Sequence, residues 1–167
     1  MPSRALARSL AAVLLAVSVA PPAAQTSATG PRPTRGAPPR DLVIDEAHGG
    51  HTLARHVGLT DEQLRDRLRR EPLIPAASTF TDRATAERVV GAALADAGGR
   101  VDAWVRRKGR RPNLALEYRR PGTTAVGRSL LRGERRARPC TAAIVVLNWD
   151  ERRGAFYVLT AYPEVAG

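Results

Sequence analysis

The spacing of apolar residues changes three times along this chain, and each change marks a different expected structure. Leu10 to Ala20 is a largely apolar run of eleven residues behind Arg4 and Arg8. It is too short to span a bilayer, which takes about 20 residues, and it has the layout of a signal peptide over 1–24, cut after Ala24. Residues 25–42 lose all apolar periodicity and carry Pro31, Pro33, Pro38 and Pro39. They read as a semi-extended linker, with order beginning near Leu42 and one folded domain over 43–167.

The start of that domain has helical spacing. His51 to Val57 is a short amphipathic piece that Gly58 should end. Thr60 opens a capping box with Gln63, and a helix over Asp61 to Arg70 follows, with Leu64 and Leu68 four apart on one face. Pro72 and Pro75 break it. Thr81 or Asp82 caps a third helix with Val89, Val90, Ala93, Leu94 and Ala97 on its apolar stripe. Gly98-Gly99 should interrupt that helix, with Val101, Trp104 and Val105 continuing for a turn or two. Beyond Pro112 the spacing becomes that of strands: Asn113–Tyr118, Thr124–Leu131, Thr141–Trp149 and Ala155–Tyr162, the last two a hairpin, with Pro163 as a stop. Helices followed by a run of strands predict an α+β fold with an antiparallel sheet.

Charge changes the picture more than composition does. The net charge is +11, and Lys108 is the only lysine. Between Arg100 and Arg138 thirteen basic residues face three acidic ones, so most of the excess sits in one stretch. A field of that sign attracts polyanions, whether nucleic acid, acidic lipid or an acidic protein. Cys140 is the sole cysteine, which excludes an internal disulfide and reads as a small buried hydrophobe. One Cys with His48, His51 and His56 does not make a structural zinc site, and neither a metal nor a cofactor is expected.

No phosphate loop or nucleophile elbow is present. What remains is a histidine pair, His51 and His56, ahead of the break at Gly58. On one continuous helix Arg67 would lie about 16 Å from His56. Folded across the glycine, the two helices can aim both side chains into one cleft. Thr160 and Tyr162 are two apart on a strand and so share a face. A proton carrier, an arginine and two hydroxyl donors suit phosphodiester transfer. The same residues also occur as solvated helix faces and ordinary strand formers.

Four blocks decide between these readings: His51-Thr52-Leu53-Ala54-Arg55-His56-Val57-Gly58, Ile74 to Asp82, Val126-Gly127-Arg128, and Leu159-Thr160-Ala161-Tyr162-Pro163. In this order, from about Gly49 to Pro163, they resemble the bacterial RNase A-like toxin domain of contact-dependent growth-inhibition proteins and other polymorphic toxins. The resemblance implies a kidney-shaped α+β ribonuclease fold without disulfides. It implies metal-independent RNA cleavage by His56, Arg67, Thr160 and Tyr162, with His51 in reserve for proton transfer and Arg128 as a phosphate contact. A leader directly ahead of the domain departs from the family, whose toxins usually end very large exported proteins.

The resulting expectation is a secreted or periplasmic monomeric endoribonuclease with no stable membrane span. It would act by 2′-hydroxyl attack to a 2′,3′-cyclic phosphate, as an antibacterial toxin reaching the cytoplasm of a recipient cell and countered by a cognate immunity protein. Arg106, Arg107, Arg110 and Arg111 would bind the RNA backbone. The alternative is a non-enzymatic basic envelope protein that binds polyanions or an acidic partner. The two differ in whether His56 and Tyr162 face one cleft.

Overall fold

A computed structural model describes residues 36–119 and 124–165. The expected signal peptide over 1–24 and most of the expected linker lie outside these residues. Within them the order is α1 (Leu42–Ala47), α2 (Thr52–His56), α3 (Asp61–Arg70), β1 (Ala76–Phe80), α4 (Arg83–Asp96), α5 (Gly98–Val105), β2 (Leu114–Arg119), β3 (Gly127–Leu131), β4 (Arg138–Cys140), β5 (Ala142–Asp150) and β6 (Ala155–Glu164). Two antiparallel three-stranded sheets form, ordered β1-β3-β4 and β2-β5-β6, so the fold is α+β as expected. No helix among the described residues is long and apolar enough to cross a membrane.

Local chemistry sets the helix starts. Thr60 and Gln63 make the reciprocal capping box, and the Asp82 carboxylate accepts from Thr85 N at 2.7 Å. Gly58 has φ +67°, the left-handed region where a side chain is costly, and its N–H donates to the Phe80 carbonyl at 3.2 Å. That turn folds α3 back beside α2. Gly98-Gly99 does not end in loop; the break falls at Ala97, and α5 starts on the glycines.

The main core packs α4 and α5 against the β2-β5-β6 sheet through Val89, Val90, Ala93, Trp104, Val145, Leu147 and Val158. A smaller core under α3 joins Leu64 and Leu68 to Ala77 and Leu130. The segment just ahead of α1 is docked too. Arg40 N donates to the Glu87 carbonyl at 3.0 Å, and a Cβ on Gly91 would run into the Pro38 carbonyl.

Strand β6 departs from the simple expectation twice. Pro163 does not stop it: the strand runs to Glu164, with Pro163 opposite Ala143. Proline is accommodated because β6 is an edge strand of its sheet. The register with β5 also slips by one residue, since Val146 faces Thr160 while Leu147 faces Val158, leaving Leu159 as a bulge. Val158 and Ala161 are therefore both fully buried in the core, although three apart. Thr160 and Tyr162 turn to the opposite face. In an unbroken ladder, Val158, Thr160 and Tyr162 would all share one side.

Candidate active site

Helix α2 is strapped to the outer edge of β6 by groups from the start of the domain. The His51 N–H donates to the bulged Leu159 carbonyl at 3.0 Å, and the buried Thr52 hydroxyl accepts from Ala161 N at 2.9 Å. The Asp45 carboxylate, 1% exposed, accepts from Val158 N at 3.0 Å and pairs with both Nε and Nη2 of Arg40. Glu46 supplies the cap that His51 does not, accepting from the Leu53 and Ala54 N–H groups.

This arrangement brings His51, His56, Arg67, Thr160 and Tyr162 to the lining of one cleft of ≈ 580 Å3. His56 is 7% exposed, and its ring lies 5.6 Å from the Tyr162 ring at 36°. His56 Nδ1 sits 3.2 Å from the Ser78 carbonyl. A carbonyl can only accept, so the neutral ring carries its proton on Nδ1 and leaves Nε2 with a free lone pair. Burial, reinforced by the charge of Arg67, pushes the His56 pKa down to about 4. Burial first, and then Arg55, also lower His51. Both imidazoles thus favour their neutral, proton-accepting form.

Arg67 is held on two sides, by Glu71 at 3.3 Å from Nε and by the Arg55 carbonyl at 3.2 Å from Nη1. Burial and then Glu164 raise the Tyr162 pKa, which keeps the phenol protonated as a donor. Thr160 Oγ1 is buried without any hydrogen-bond partner among the described residues. Such an orphan costs about 1–3 kcal/mol, a cost a bound oxygen would remove.

A consequence for stability follows from His56. An unfolded histidine titrates near 6.5, and the folded one near 4. The unfolded chain binds the extra proton between those values, so stability is full above about pH 6.5 and falls as pH drops toward 4. Urea midpoints at pH 7 and pH 4 should differ for this reason, and a His56→Asn chain should lose part of that difference.

The other sequence candidates lie elsewhere. Arg128 does not line the cleft; its guanidinium binds Asp61 Oδ1 at 2.6 Å and the Leu59 carbonyl at 2.7 Å, tying β3 to the start of α3. Arg111 is a packing residue: it lies 4.1 Å over the Trp149 ring and donates to the Val105 carbonyl. Arg106, Arg107 and Arg110 are exposed, on the loop that Arg111 anchors. Trp149 stands five residues along β5 from Ile144, the partner of Tyr162, which places this anchor roughly 17 Å from the cleft. Ser78, Ser129 and Glu164 line the cleft without having been singled out in the sequence. Only the β1–β3 register brings the two serines opposite each other. Cys140 is buried as expected, its thiol raised to about 11 by burial. No cluster of three His, Cys, Asp or Glu side chains able to hold a metal occurs among the described residues.

Residues 50–163 match the family described as the bacterial CdiA-CT RNAse A domain. The chain belongs to that family. CdiA-CT RNase A membership makes it a ribonuclease toxin domain, and the segments carrying His51, His56, Arg67, Thr160 and Tyr162 all fall inside the matched region. A crystal structure of a CdiA-CT/CdiI complex from Y. kristensenii 33638 is similar in fold, with a TM-score of 0.60 and 28% identity. The match covers 69% of this chain and 99% of that one. No curated protein matches the chain.

Proposed function

We propose that this CdiA-CT RNase A domain cleaves RNA by transphosphorylation in the cleft between α2, α3 and β6. The observation that supports it best is the convergence of two neutral imidazoles, a held arginine and an unpartnered buried hydroxyl on one cavity. His56 Nε2 takes the proton of the 2′-hydroxyl, whose oxygen then forms the new bond to phosphorus. The bond from phosphorus to the 5′ oxygen breaks, and that oxygen leaves with a proton drawn from water while His56 returns its own to solvent; His51, also neutral, stands in reserve as the proton acceptor. The products are a 2′,3′-cyclic phosphate and a free 5′-hydroxyl. Arg67 holds the nonbridging oxygens, and Thr160 and Tyr162 donate to the charge that builds on the pentacoordinate phosphorus.

The groups assigned to the cleavage step are proton carriers and anion holders, so the reaction should run without a metal. Total RNA incubated with the protein in excess EDTA should be cleaved as fast as without it; loss of activity on chelation, restored by a divalent cation, would rule this mechanism out. The leader over 1–24 is proposed to export the protein, with the recipient cytoplasm as its site of action. The CdiI partner of the Y. kristensenii protein suggests a cognate immunity protein here as well.

Arg106, Arg107 and Arg110 are proposed to attract RNA backbone at long range. Replacing these three with Gln, and leaving Arg111 to hold Trp149, should weaken RNA binding. The plot of log affinity against log salt should become shallower by about 0.7 for each phosphate that the variant no longer neutralises. An unchanged slope would remove the loop from the binding surface and leave the cleft untouched.

A further inference from the structure

The cleft contains polar groups that the cleavage step does not use. Ser78 on β1 and Ser129 on β3 are paired directly across the sheet, are 6% and 3% exposed, and both line the cavity. Glu164, two residues past Tyr162 on β6, lines the same cavity. A carboxylate in a cleft built for a phosphodiester repels the substrate it should hold. The charge of Arg119 offsets part of that repulsion, and a donor-bearing edge of the ligand would offset the rest. Ile74, Leu131 and Val165 give the cavity apolar walls beside these polar groups. A flat body with apolar faces and a hydrogen-bonding edge fits that combination.

We propose that Ser78, Ser129 and Glu164 form a nucleobase subsite that selects guanine. The inference rests on the ribonuclease reading and adds a base preference to it. Guanine alone presents two adjacent donors, N1–H and the N2 amino group, which match the two oxygens of one carboxylate. Its O6 and N7 accept from hydroxyls. Adenine and cytosine place a ring acceptor next to their amino group, so the second carboxylate oxygen would meet a lone pair. Uracil has a single ring donor between two carbonyls.

Calorimetric titration of the full-length protein with 3′-GMP, 3′-AMP, 3′-CMP and 3′-UMP tests this without requiring turnover. Tightest binding is expected for 3′-GMP, by about 10- to 100-fold, the usual worth of hydrogen bonds to a charged group. Glu164→Gln should bring the four affinities close together, and Ser129→Ala should reduce the 3′-GMP affinity alone, with both variants melting near the parent. Equal affinities, tighter binding of another nucleotide, binding of none, or a guanine preference that survives Glu164→Gln would each overturn the proposal. Digestion of a mixed-sequence RNA separates this outcome from the ribonuclease reading. Cleavage with no bias toward guanine removes the subsite and leaves the ribonuclease; no cleavage beside an intact 3′-GMP preference does the reverse.

Discussion

His56→Asn should reduce RNA cleavage by about 10²–10⁴, the usual contribution of a positioned general base, while the protein stays folded. The choice of asparagine follows from the geometry. His56 is buried and donates through Nδ1 to the Ser78 carbonyl. Alanine would remove that bond and leave a gap against Tyr162, so lower activity could come from damaged structure. The asparagine amide can keep the donor to Ser78 and supplies no base at the Nε2 position. A gel assay of cleavage and a thermal melt, run on the same preparation, separate the two effects. Retained cleavage would pass the proton-accepting role to His51, and a parallel His51→Asn chain shows whether it belongs there.

The second large effect is on stability. Asp45→Ala should cost about 3 kcal/mol, read as a lower urea midpoint at constant slope. It strips Val158 N of its acceptor and leaves Arg40 without its partner. The Arg40 side chain is 30% exposed, so water recovers part of the loss and the effect falls at the low end for a broken buried pair. Asp45→Asn keeps an oxygen for Val158 and should cost clearly less. Equal destabilisation by both variants would place the energy in the charge pair rather than in the hydrogen bond to the strand.

What could be read in the sequence divides by distance along the chain. The Thr60–Gln63 box and the helix it starts depend on neighbours three residues apart, and both stand as expected. Thr160 and Tyr162 share a face because strand alternation is local, although the bulge that aims this face at the cleft left no mark in the sequence. Strand β1 is not legible as one because four of its five residues are buried, which erases the alternation that identifies a strand. Helix α1 is equally hidden, because its work is done by Asp45, whose strand partner lies 113 residues away. The arginine stretch misleads in a similar way. Charge density alone does not show that Arg128 is committed to Asp61 or that Arg111 is committed to Trp149.

The straps from α1 and α2 to β6 also govern when the cleft can exist. The hydrogen bonds Asp45–Val158 and Thr52–Ala161 close loops of 113 and 109 residues, nearly the whole described domain. Pairings of such span carry a high closure entropy and form late in folding. Until they form, β6 has nothing along its outer edge to hold the Leu159 bulge, and the histidines have no strand to face. If cleavage takes place in this cleft as proposed, a chain whose β6 has not yet met α1 and α2 should cut no RNA.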